Sequence, residues 1–148
     1  MREEFATWHV SQGGCALVGP DGIVASAGNL DEVLPWASVT KVLAALAVLD
    51  VVHDGALRLD DPAGPEGSTV RHLLAHASGL SFDSDQVLAV PGKRRIYSNV
   101  GIDLVTSIAA AAAGCADGPQ LIAQRILIPL DMNQTVVIGS PAHGDRKS

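Results

Sequence analysis

Residues Ser38 to His53 are apolar almost all round, and this stretch limits the folds open to the chain more than any other. A helix without a polar stripe needs cover on most faces, so further elements must pack around it. The expectation is a helix at the centre of a core. Gly55 stands where glycine is favoured, just past a helix C-terminus. The longest apolar run, Val42 to Leu49, is too short to span a bilayer, and so is Ala109 to Ala113. Neither predicts a membrane segment.

The elements around this helix are readable in outline. Cys15 to Ser26 predicts two short apolar strands about a Pro20-Asp21-Gly22 turn. Ala63 to Ser68 is a Gly/Pro loop, and Thr69 opens a helix that ends at Ser78-Gly79. A looser segment, Leu80 to Val90, leads to a Pro91-Gly92 turn. Asn99 to Gly114 and Pro119 to Ile128 predict two more helices. Two strands followed by a run of helices suggest an α+β fold. With 148 residues, 47% of them apolar, and no repeat or low-complexity tract, the chain is expected to fold as a single domain over residues 1–148.

Charge and cysteine usage exclude several functions. The net charge is −6, and the basic residues cluster only at Lys93-Arg94-Arg95, which argues against nucleic acid as a partner. Met1 to Phe5 holds three charges and Trp8 to Val18 is broken by polar residues, so a secretory leader is not expected and the chain reads as cytoplasmic. Cys15 and Cys115 lie a hundred residues apart without a C-x-x-C and are expected to be buried, reduced thiols. His72 and His76 have the i, i+4 spacing of helical zinc ligands. They lack the glutamate of H-E-x-x-H and an obvious third ligand, so neither metal nor cofactor is expected.

Chemistry enters at Ser38-Val39-Thr40-Lys41, where a hydroxyl and an amine three residues apart share one helix face. The amine can stabilise the serine alkoxide or relay its proton. With eleven serines and three lysines, the spacing alone arises by chance in roughly one such chain in five. Two later segments give it weight: Leu73-Leu74-Ala75-His76-Ala77-Ser78-Gly79-Leu80, and Pro91-Gly92 followed by Tyr97-Ser98-Asn99. In this order, from about Trp8 onward, the chain resembles the serine β-lactamase and penicillin-binding protein superfamily. The likeness is greatest to its class C, D-alanyl-D-alanine carboxypeptidase and esterase branch.

That resemblance implies a β-lactamase/transpeptidase-like α+β fold, an antiparallel sheet with a helical region inserted. It implies Ser38 as a nucleophile that forms an acyl-enzyme, with its own N–H as one oxyanion donor. Lys41 would activate the serine, and Tyr97 would take its proton as phenolate and pass it to the leaving group. Asn99 would orient Lys41 and hydrogen-bond the substrate; alternatively, it caps the helix that follows. His76 falls where the family has a structural histidine. The substrate would be an amide or ester: a β-lactam, a peptide ending in D-alanine, or a small ester.

The family's third motif, Lys-Thr-Gly or His-x-Gly on a downstream strand, has no counterpart here, since Ala142-His143-Gly144 lies in a loop-like stretch. The expectation is an incomplete domain, truncated before its C-terminal strands and of low activity. Its open sheet edge would invite self-association or a complementing chain. The alternatives are a non-catalytic pseudoenzyme or interaction module, or one half of a split hydrolase.

Overall fold

Pro20 and Asp21 turn the chain between β1 (Gly14–Gly19) and β2 (Gly22–Gly28), which pair antiparallel with Cys15 opposite Ala27 and Gly19 opposite Gly22. The register shifts between Leu17 and Val18, a bulge that twists the ribbon at its turn end. Glu32 ties the base of the hairpin, its carboxylate accepting from Gln12 Nε2 at 2.9 Å and Asn29 Nδ2 at 3.1 Å. Leu17, Val18, Ile23 and Val24 are exposed on this ribbon. The computed structural model describes residues 7–138. They divide between Trp36 and Ala37 into two compact units, the hairpin belonging to the first.

The second unit is helical. A 3₁₀ turn at Ala37–Val39 runs into α1 (Thr40–His53), and α2 (Val70–Leu74), α3 (Asn99–Ala112) and α4 (Gly118–Ile122) follow. Alanine and leucine make α1 a good helix former. Asp54 caps it and Gly55, at φ 79°, takes the left-handed conformation that ends it. α3 packs on α1, α2 and α4. Val48, Val51, Val70, Leu73, Val105 and Leu121 are fully enclosed at the centre. Each such side chain contributes about 1.5–3 kcal/mol by leaving water.

Three expectations change here. α1 is covered on one face only: Leu43, Ala44, Ala47, Val48 and Val51 are buried, while Val42, Leu46 and Leu49 keep 57%, 46% and 44% of their surface exposed. Among the described residues α1 packs on α3, α4 and the π-type turn after α4, so helical partners cover only part of its circumference. The helix expected from Pro119 to Ile128 breaks after Ile122 into that π-type turn, Ala123–Leu127. There the Arg125 guanidinium reaches back to the end of α1, meeting Asp54 at 2.6 Å and Asp50 at 2.9 Å. Cys15 and Cys115 are free thiols, as expected, but only half-buried. No helix among the described residues is long and apolar enough to cross a membrane. Ala142-His143-Gly144 lies outside the described residues.

Candidate active site

The 3₁₀ turn presents Ser38 to solvent one turn before the apolar body of α1. Ala37, just ahead of it, sits in the left-handed region at φ 46°, a conformation that costs a residue with a Cβ about 1–3 kcal/mol. Ser38 does not cap the helix: the N-cap position falls on Val39, which makes no side-chain cap bond. Its Oγ instead accepts a hydrogen bond from Lys41 Nζ at 3.3 Å, the i, i+3 contact that one helical turn allows. Lys41 is half-buried, and its ammonium lies 5.0 Å from the centre of the Tyr97 ring. Cation and ring attract at that distance.

Tyr97 arrives from a separate part of the chain, and His76 brings it there. α2 ends in a Schellman turn, with Ala77 N–H donating to the His72 carbonyl at 2.7 Å and His76 N–H to that of Leu73 at 3.1 Å. The left-handed position, usually glycine, is His76 at φ 56°. Its backbone carbonyl accepts from Ile96 N–H at 2.7 Å, and its Nδ1 accepts from Ser98 N–H at 3.1 Å. The residues on both sides of Tyr97 are therefore bonded to one buried histidine. The two rings also meet, with centroids 4.6 Å apart. Gly79 closes this loop from behind. At φ 89°, it lies where a Cβ would run into the Ala89 carbonyl oxygen.

Electrostatics follow from this packing. The Ser38 hydroxyl first, and then the Lys41 ammonium, lie close enough to the Tyr97 oxygen to favour its phenolate by hydrogen bonding. The Lys41 and Arg95 charges add to this, so Tyr97 titrates below its ordinary 10.0. His76 also shifts down, but for a base that favours the neutral form. Burial first, then the charges of Arg95 and Lys41, lower it below 6.5 and keep it neutral, as an Nδ1 acceptor must be. His72 Nδ1 is engaged locally, 3.2 Å from Thr69 Oγ1. His76 lies beyond the end of α2, so the i, i+4 pair does not share a helical face.

Asn99 stands differently from the other three. Ser98, buried, is the residue that caps α3, its Oγ accepting from Gly101 N–H at 3.0 Å; Asn99 is the first helical residue. The alternative role of Asn99 as a cap is thereby corrected. Its side-chain Nδ2 donates to Asp83 Oδ1 at 2.7 Å. Ser38, Lys41 and Tyr97 come together, while the Asn99 amide is held by a carboxylate that the sequence did not bring forward. Asp83 lies in the loose segment after Leu80, and no pattern there marks it.

A profile of the Beta-lactamase family matches residues 12–147. The chain belongs to the β-lactamase family. A β-lactamase from Mycobacterium bovis superposes with a TM-score of 0.88 at 42% identity, covering 93% of this chain and 50% of that one. The D-alanyl-D-alanine-carboxypeptidase/endopeptidase AmpH of Escherichia coli strain K12 is 26% identical over 150 residues, 76% of this chain and 39% of AmpH. Esterase EstB of Burkholderia gladioli is 38% identical over 86 residues, 49% of this chain and 21% of EstB. The chain thus spans half the length of the M. bovis protein or less of each. The expected fold class holds: these residues take a β-lactamase-like α+β fold, with a small antiparallel sheet and a helical region.

Proposed function

We propose that this part of a β-lactamase-family protein is the nucleophile-bearing portion of a serine hydrolase, with Ser38 forming an acyl-enzyme on an amide or ester. One observation carries the reading: Lys41 Nζ lies 3.3 Å from Ser38 Oγ and 5.0 Å from the centre of the Tyr97 ring. The Ser38 oxygen attacks the carbonyl carbon, and its proton passes to the Tyr97 phenolate. The Lys41 ammonium stabilises charge on both oxygens throughout. When the tetrahedral species collapses, Tyr97 returns the proton to the departing amine or alcohol. Water then hydrolyses the ester on Ser38 by the same proton traffic.

The relatives' names support the breadth of substrates, since they include a β-lactamase, a carboxypeptidase and an esterase. In this reading the Ser38 N–H is one oxyanion donor, and such a donor is worth about 10²- to 10³-fold in acyl-transfer enzymes. Incubation with a fluorophosphonate followed by mass spectrometry tests the reading. A single adduct that disappears in Ser38→Ala supports it, and no adduct on folded protein overturns it.

The exposed stripe Val42, Leu46 and Leu49 favours a second reading. In it, this region is half of a split hydrolase and acts only with complementing polypeptide against that face. An adduct formed only when such a segment is supplied would distinguish it.

A further inference from the structure

We infer that Asp83 is a positioning residue of the acyl-transfer site, holding the Asn99 amide by its nitrogen so that the oxygen is left for the lysine ammonium or a substrate N–H. The inference rests on the reading of Ser38, Lys41 and Tyr97 given above. Ser98 has extended backbone, φ −137° and ψ 120°, so the side chains of Tyr97 and Asn99 leave the chain on the same side while Ser98 is buried on the other. Asn99 therefore shares its side with the ring over which Lys41 lies. Which of its two amide atoms is available there decides what it can recognise.

A carboxylate only accepts hydrogen bonds, so the amide atom facing Asp83 at 2.7 Å has to be the nitrogen. The choice between oxygen and nitrogen, usually left to the surrounding network, is made here by one charge. Charge assistance also strengthens that bond and polarises the amide, making its oxygen a better acceptor. The grip has a second point. Asn99 N–H donates to the Phe82 carbonyl at 2.8 Å, so two consecutive residues, Phe82 and Asp83, hold the main chain and the side chain of Asn99.

The loop that carries Asp83 is itself closed. Ser81 N–H donates to the Gln86 carbonyl at 2.9 Å, and Ser81 Oγ accepts from Ser84 N–H at 3.1 Å and lies 2.6 Å from Ser84 Oγ. A bridge between Leu80 and Val87 seals its base. The carboxylate is thus presented from a preformed turn.

Two readouts test this. In ¹⁵N–¹H spectra, the side-chain amide pair that vanishes in Asn99→Ala should move in Asp83→Ala, while those of Asn29 and Asn133 stay in place. In the fluorophosphonate reaction, Asp83→Ala should slow Ser38 acylation about tenfold, within the range of coupling between contacting residues. Asp83→Asn, which keeps an acceptor at the same place, should restore most of the rate. In an Asn99→Ala background the Asp83 substitution should add nothing. An unmoved amide pair, or an equal slowing in both backgrounds, overturns the assignment. No adduct from the unsubstituted chain instead overturns the acyl-transfer reading, so the two failures are told apart.

Discussion

Ser38 and Tyr97 reach the same lysine from different ground. Ser38 is exposed on a short 3₁₀ turn, and its side chain is held by a local bond to Lys41 three residues on. Tyr97 lies in a segment tied to distant residues at three positions around it: Ile96 and Ser98 to His76, and Asn99 to Phe82 and Asp83. In the proposed mechanism the nucleophile side therefore rests on one helical turn, while the base side rests on tertiary structure. Substitutions on the first should change reactivity without stability, and those on the second should change both.

The largest effect is expected at the lysine. Lys41→Met should slow acylation of Ser38 by about 10²- to 10³-fold, the range for a group that stabilises developing charge, with an unchanged thermal midpoint. A large fall in midpoint would erase the contrast between the two sides. Tyr97→Phe comes next and sharpens it. If the phenolate is the base, acylation rises with pH through a Tyr97 value below 10.0, and Tyr97→Phe flattens that rise. In Lys41→Met the inflection should move up toward 10.0, because the ammonium that favours the phenolate is gone.

His76 should show the double penalty of the base side. His76→Ala leaves the Ser98 N–H without its acceptor, costing about 1–3 kcal/mol in chemical denaturation, and should slow acylation as Tyr97 loses its mooring. The pH dependence has a definite sign. Folding lowers the affinity of His76 for a proton, so the unfolded chain binds that proton more readily. The stability it contributes is present above pH 6.5 and is lost as pH falls through the lower folded value. His76→Ala should lose that acid sensitivity. The smallest effect belongs to the uncovered face of α1, where Leu46→Ser should shift stability by no more than about 0.5 kcal/mol. A loss of several times that amount would mean the face is covered after all.

The sequence made local features legible and tertiary ones only through resemblance. The Ser38 and Lys41 spacing is a property of one helical turn, and the Pro20-Asp21 hairpin and Thr69 cap are equally local. Tyr97 could be joined to Lys41 only by likeness to a family, because 55 residues separate them. Between Ser98 and Asn99, both capping types, pattern alone could not choose, and packing gave the cap to Ser98. An all-apolar helix predicts that cover is needed but not that any cover is present, so the open face of α1 was not foreseen from periodicity. Asp83 had no signal, since its proposed role comes from a side-chain contact with Asn99, sixteen residues away.

The central claim is that Ser38 is activated where it stands. Intact-mass measurement of the chain after exposure to a fluorophosphonate, beside Ser38→Ala, addresses it most directly. One adduct per chain, absent from Ser38→Ala and much reduced in Lys41→Met, is the result expected. An unmodified mass on folded protein, or an adduct that persists in Ser38→Ala, would contradict it.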